Sequence, residues 1–217
     1  MARPRPFASV VLALAAGGLC LPAPAVAPRD EERLAEEQFA ASVSWEELVA
    51  DPAAHLGRSV RVVLLVAGEA SDWNAYVTRF GQARWRAWDA WSDLQEPWLP
   101  EAHRSPAARV WARRDGGAAW ALARARPGAR VELRLRVHEV FLGAPWCEVE
   151  AVVPCVEELG EGTLIHAARG VEERQAGRHE LAALAFEEAL KAPLPARARA
   201  AIEGLRDESR RLALARR

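Results

Sequence analysis

The stretch Val131-Glu132-Leu133-Arg134-Leu135-Arg136-Val137-His138-Glu139 decides the fold. Valine and leucine alternate with charged or polar residues, so an extended chain carries one apolar and one charged face, the signature of a half-buried strand. Pro127-Gly128 just before it stops a helix that reads from Ala118 to Arg126 with Trp120, Leu122 and Ala123 on it. After it, Leu142-Gly143-Ala144-Pro145 turns the chain into a last strand from Trp146 to Val153, on which Glu148 and Glu150 share a face. Upstream, Val60, Val62, Leu64 and Val66 alternate with Arg61, Val63 and Leu65 in a largely buried strand that runs to about Ala70. A short strand from Ala108 to Arg113 centres on Val110 and Trp111, and Asp115-Gly116-Gly117 turns the chain after it.

Between these strands, Val77 to Trp91 holds Trp85, Trp88 and Trp91 at intervals of three. On a helix the three indoles share a face; on a strand Trp88 opposes the other two unless a bulge intervenes. Phe80-Gly81 and the aromatic richness favour a strand, and residues 92–106, with Pro97, Pro100 and Pro106, read as loop. The order over residues 57–156 is therefore three strands, a helix and two strands. That order resembles the OB-fold, a five-stranded barrel with its helix between the third and fourth strands. Two similar lead-ins, Leu56-Gly57-Arg58-Ser59-Val60 and Arg126-Pro127-Gly128-Ala129-Arg130-Val131, precede the first and fourth strands.

The C-terminal part, residues 157–217, changes period. Gly170 and Gly204 are separated by 34 residues, the tetratricopeptide period, and Ala182 and Phe186 sit at that family's A-x-x-x-F spacing. Gly177 turns between two helices, and Ala189-Leu190 carry the second towards Pro193. Small residues let antiparallel helices approach, and a phenylalanine fills the space between them. The segment thus resembles a single tetratricopeptide repeat, although His166, Arg169 and Glu173 stand where the family keeps large apolar residues. Leu164, Ala168 and Val171 supply the stripe instead. A third helix with Ala198, Ile202, Leu205 and Leu212 on one side is similar to the helix that closes such arrays. One repeat cannot bury its own core, so this hairpin must lean on the barrel, on a partner protein or on a second copy. The fold class expected is α+β: a five-stranded OB-like barrel with one inserted helix, a tetratricopeptide-like hairpin and a closing helix.

Residues 1–27 carry Arg3 and Arg5, an apolar run from Phe7 to Leu21 and the small-x-small site Ala25-Val26-Ala27. They read as a secretory signal peptide, the run being shorter than the ~20 apolar residues a spanning helix needs. The protein is accordingly expected to be exported, periplasmic or extracellular, with no membrane span after cleavage. Residues 28–56 form a charged lead-in followed by a short helix, opened by the capping box Ser44-Trp45-Glu46-Glu47 and ended at Asp51-Pro52. With a formal charge of −1, nothing global draws the chain towards nucleic acid or anionic lipid. Beyond the signal segment only Cys147 and Cys155 remain. On one strand they would stand about 26 Å apart, so a disulfide requires the chain to fold back near Pro154; otherwise they are two half-buried thiols.

No pair of the five histidines stands at metal-ligand spacing, and no nucleophile elbow, phosphate loop or dinucleotide fingerprint occurs, so no metal, cofactor or catalytic residue is assigned. The unusual feature is nine tryptophans. The resemblance to OB-folds implies a ligand face on the second and third strands and the adjoining loops, which here hold Trp73, Tyr76, Arg79, Arg84, Arg86, Trp88, Trp111, Phe141 and Trp146. Such a face would stack bases or sugars between arginines; the competing expectation is that the indoles fill a core. An exported location argues against nucleic acid. The leading expectation is a non-catalytic binding or scaffolding protein whose hairpin mediates protein contacts. Alternatives are an OB-type binder of oligosaccharide or single-stranded nucleic acid, and a hydrolase whose site leaves no linear trace.

Overall fold

A computed structural model describes residues 40–71 and 79–215. Residues 1–27, expected to be a signal peptide, residues 28–39 of the lead-in, Trp73 and Tyr76 lie outside the described residues. In chain order the described elements are β1 (Ala41–Ser42), α1 (Trp45–Ala50), a 3-10 turn (Pro52–His55), β2 (Ser59–Ala70), β3 (Trp85–Ser92), α2 (Pro100–Arg104) and β4 (Ala108–Arg113). Then come α3 (Gly117–Arg124), β5 (Arg130–Phe141), β6 (Ala144–Pro154), α4 (Glu161–Gln175), α5 (His179–Ala189) and α6 (Ala196–Ala215).

The strands close into a five-stranded barrel. Their order is β2-β3-β4-β6-β5, and β2 then pairs with β5, while β1 adds a short parallel edge to β2. Closure depends on the length of β2. Its first half, Ser59 to Leu65, is antiparallel to β5, and its second half, Leu64 to Ala70, is antiparallel to β3. The register slips between Val66 and Gly68, a bulge that bends the strand from one partner to the other.

Alternation sorts the side chains. Val60, Val62, Leu64 and Val66 of β2 meet Val131, Leu133, Leu135 and Val137 of β5 inside, with Cys147 and Val149 of β6. Trp88 is the largest fully buried side chain, and small neighbours, Ala90, Ala108 and Ala112, make room for it. Trp45 and Leu48 of α1 and Ala119 and Leu122 of α3 join the same core. The capping box forms as expected: Ser44 Oγ accepts from the Glu47 amide at 3.1 Å, and the Ser44 amide donates to Glu47 Oε2 at 2.7 Å.

Outside the barrel the charged face of β5 is matched by carboxylates. Glu150 accepts from Ser59 Oγ at 2.9 Å and lies 3.0 Å from Arg134 Nε, and Arg130 makes two hydrogen bonds to Asp93 at 2.7 and 2.8 Å. Those two bonds raise the Arg130 pKa further above its ordinary value.

The three C-terminal helices pack on the outer face. Leu65, Trp91 and Trp98 share one apolar cluster with Leu159, Leu164, Val171, Phe186 and Ile202. The junction is close. The Leu159 amide donates to the Gly128 carbonyl at 2.9 Å, and a Cβ at Gly128, whose φ is +84°, would stand 1.8 Å from the Leu159 oxygen. All described residues belong to one compact unit.

Two expectations shift. The strand expected over Val77 to Trp91 begins at Trp85, residues 79–84 being described but not extended and Val77 lying outside the described residues, and the stretch expected as loop contains α2. That short helix is held by tertiary contact: Trp91 Nε1 donates to the Ala102 carbonyl at 2.9 Å, and His103 lies against the Trp91 ring at 5.4 Å.

Within the tail, Gly177 (φ +74°) turns α4 into α5, and Ala182, Phe186 and Ala189 are buried between them. Gly204 is exposed with open space where a Cβ would stand. At Gly170 a Cβ would lie 2.5 Å from Phe186 Cε1, and Phe186 has no solvent to retreat into. Alanine gains about 0.5–1 kcal/mol of helix propensity over glycine, but overpacking a rigid core costs about 1–3 kcal/mol. Gly170→Ala is therefore expected to destabilise the protein by about 1–2 kcal/mol in urea unfolding; an unchanged or higher midpoint would show that α4 and α5 do not pack this closely.

Candidate functional site

The outward parity of β3 and β4 places Trp85 and Trp111 on the same side of the barrel wall, and β6 adds Trp146. Phe80, just before β3, completes the group. Trp111 and Trp146 stack at 4.3 Å between ring centroids, Trp111 and Phe80 at 4.8 Å, and Trp85 meets Phe80 edge-on at 4.8 Å. Phe141 meets Trp146 edge-on at 5.9 Å from the β5–β6 hairpin. A polar chain borders the rings. Arg79 Nη1 is 3.2 Å from His138 Nδ1, and His138 Nε2 is 2.6 Å from Glu148 Oε2. Since arginine can only donate, its contact requires Nδ1 to be the accepting nitrogen and Nε2–H to donate to Glu148.

Of the nine residues proposed as a ligand face, the structure thus brings together Trp111, Phe141 and Trp146, with Arg79 alongside. Trp88 is elsewhere, inside the barrel and 2 % exposed. Arg86 is tied to Glu69 at 2.7 Å through Nε, which lowers the Glu69 pKa, and its guanidinium lies 5.0 Å from the Trp88 ring. Arg84 is exposed, its carbonyl accepting from the Arg114 amide. Phe80, Trp85 and His138 belong to the cluster and were absent from the proposed set; strand parity pairs Trp85 with Trp111, but only the folded loop brings in Phe80. The rings serve chiefly as one another's partners, Phe80 being wholly buried and Trp111 2 % exposed.

A second concavity lies between α2 and α4. It encloses about 490 Å³ and is lined by Pro97, Trp98, Pro100, Leu164, Ile165 and Ala168, with His103, Arg104 and Glu172 at its edges. Ile165 is 58 % exposed despite its size. His103 Nδ1 lies 3.2 Å from the Pro97 carbonyl, so that nitrogen carries the proton and donates. Arg104 is held to Glu101 at 2.6 Å. The groove is therefore apolar inside, with mixed charge at its margins.

No protein-family model matches this sequence, and no curated protein matches it. The functional reading therefore comes from the residues themselves. No group of three or more histidine, cysteine or acidic side chains among the described residues could hold a metal ion.

Cys147 and Cys155 are free thiols. β6 stays extended through Pro154, so the fold-back that a disulfide requires does not occur. Burial pushes the Cys147 thiol up to about 12, whereas Cys155 is half-buried at the strand end. Because the thiolate is the reactive form, iodoacetamide at pH 8 is expected to label Cys155 in the native protein and leave Cys147 unmodified until unfolding. Peptide mass mapping reads this directly, and equal labelling of both would contradict the burial of Cys147.

Proposed function

We propose that this is an exported, non-catalytic binding protein, an OB-like barrel carrying a tetratricopeptide-like hairpin, and that it holds an amphipathic helix of a partner protein in the groove between α2 and α4. The observation that carries the reading is the open apolar groove along α4. The OB-like assignment is supported by the circular strand order β2-β3-β4-β6-β5 and by α3 lying between β4 and β5. The close Gly170–Phe186 contact and the buried Ala182 support the tetratricopeptide-like one. Export rests on the pattern of residues 1–27.

A helix suits the groove because α4 packs with α5 and reaches α6 through the Arg174–Glu208 ion pair, whereas across the groove it faces only the short α2. In stacked helical repeats each first helix also meets the preceding unit. Here the barrel covers part of that side through Trp98 and leaves Ile165 bare. An incoming helix with apolar residues at i, i+3, i+4 and i+7 would bury Ile165 and finish covering the half-buried Ala168; full burial of a side chain such as Ile165 contributes about 1.5–3 kcal/mol. An oligosaccharide or single-stranded nucleic acid would instead need open rings, and Phe80 and Trp111 are closed upon each other.

Helical peptides selected from a displayed random library against the full chain are expected to carry that apolar spacing. Ile165→Asp, at an exposed position, is expected to weaken them about tenfold or more while leaving the melting temperature near that of the parent. Peptides that bind the variant equally well would remove the groove from the account. For export, N-terminal sequencing of the protein recovered from a bacterial periplasm should begin at Pro28; an intact Met1 on protein confined to the cytoplasm would refute the signal-peptide reading.

A further inference from the structure

The end of the barrel beside α3 opens into a cavity of about 410 Å³, remote in sequence from the α2–α4 groove. Its floor is small and apolar, with Ala121, Ala125, Ala129, Val131 and Val152. Trp120 stands at one side and is 64 % exposed, while the other described tryptophans are buried or half-buried. Leaving an indole in water forgoes burial that the other indoles obtain. The Arg124 guanidinium lies over the Trp120 ring at 4.5 Å. Arg126 and Arg130 also line the cavity, with Glu158 as the one lining carboxylate.

The three arginines differ in what holds them. Arg130 is committed to Asp93 by two hydrogen bonds. Among the described residues, Arg124 and Arg126 have no carboxylate partner, unlike the paired Arg86, Arg109 and Arg134 elsewhere on the barrel. Two unpaired guanidinium groups, an exposed indole and an apolar floor therefore converge on one concavity of the size that accepts small ligands.

We propose that this cavity binds a small aromatic carboxylate, its ring packed against Trp120 and the alanine floor and its oxyanion held by Arg124 and Arg126. The class follows from the lining. Guanidinium forks match planar oxyanions. The five floor residues carry no side-chain donor or acceptor, so the face of a flat apolar body fits against them. Arg124, stacked on the indole, holds one of these guanidinium cations beside the ring. This site is independent of the partner-helix reading and stands or falls separately.

The test is titration of the full chain with naphthoate, followed by calorimetry and by amide NMR shifts. Saturable binding is expected, with shifts clustered in residues 120–131 and 152–158. Trp120→Ala should weaken binding about tenfold by removing the aromatic contact, and the double variant Arg124→Gln/Arg126→Gln about tenfold or more, since a single charge-assisted contact already accounts for about tenfold. Neutral naphthamide should bind about tenfold more weakly than naphthoate, and Ile165→Asp should leave naphthoate binding unchanged. All of these positions are exposed, and unaltered melting curves confirm that the variants fold. The proposal is overturned by shifts centred on residues 97–104 and 164–172, by equal affinity for naphthamide, by indifference to the arginine or tryptophan changes, or by no binding up to the probe's solubility limit.

Discussion

β2 hydrogen-bonds to β5 along its first half and to β3 along its second, and the rest of the architecture follows from that double pairing. Once the sheet is closed, each strand has an inside and an outside, and a one-residue shift would exchange them. The register puts Trp88 among the valines and leucines and sends Trp85, Trp91 and Trp111 outwards. From the outer wall the indoles then take two routes. Trp85 and Trp111 meet the loop that carries Phe80, while Trp91 meets the helices.

That second contact explains how so short a helical segment persists. A lone helical hairpin lacks the neighbours that would bury its apolar stripe, and here Leu65 and Trp91 of the barrel and Trp98 of the segment after β3 take their place. The substitution is partial. Leu164 and Val171 are covered, yet Ile165, one residue along, faces the groove. α2 is held beside this groove by the Trp91 indole, which donates to the Ala102 carbonyl and lies against His103. The feature proposed for partner binding is thus made by barrel and tail together.

Much of the fold was legible in the sequence because burial on one face leaves a period in the chain. The strand Ala108–Arg113 and the alternation around Leu133 appear where the pattern put them, and the capping box at Ser44 forms with both of its hydrogen bonds. Gly170 and Phe186 come into close contact between α4 and α5. The candidate sites were less legible. Arg86 belongs with Glu69 and Trp88 lies inside, so a list chosen by loop position mixed the two sides of the wall. Trp120 read simply as a helix residue, since a linear pattern does not reveal which indole lacks a cover. Arg124 and Arg126 likewise look like every other arginine until the positions of the carboxylates are known.

By itself the sequence determined the local periods, the turns and caps, and the division into an alternating part and a helical part, because those depend on neighbours within a few residues. Tertiary structure alone decided that the strands close, that α2 forms within a proline-rich stretch, that the tail uses the barrel as its missing neighbour, and which aromatic rings are enclosed. Those outcomes depend on contacts between residues distant along the chain, such as Ser59 with Glu150 and Leu65 with the helical cluster. Packing, rather than periodicity, selects such partners.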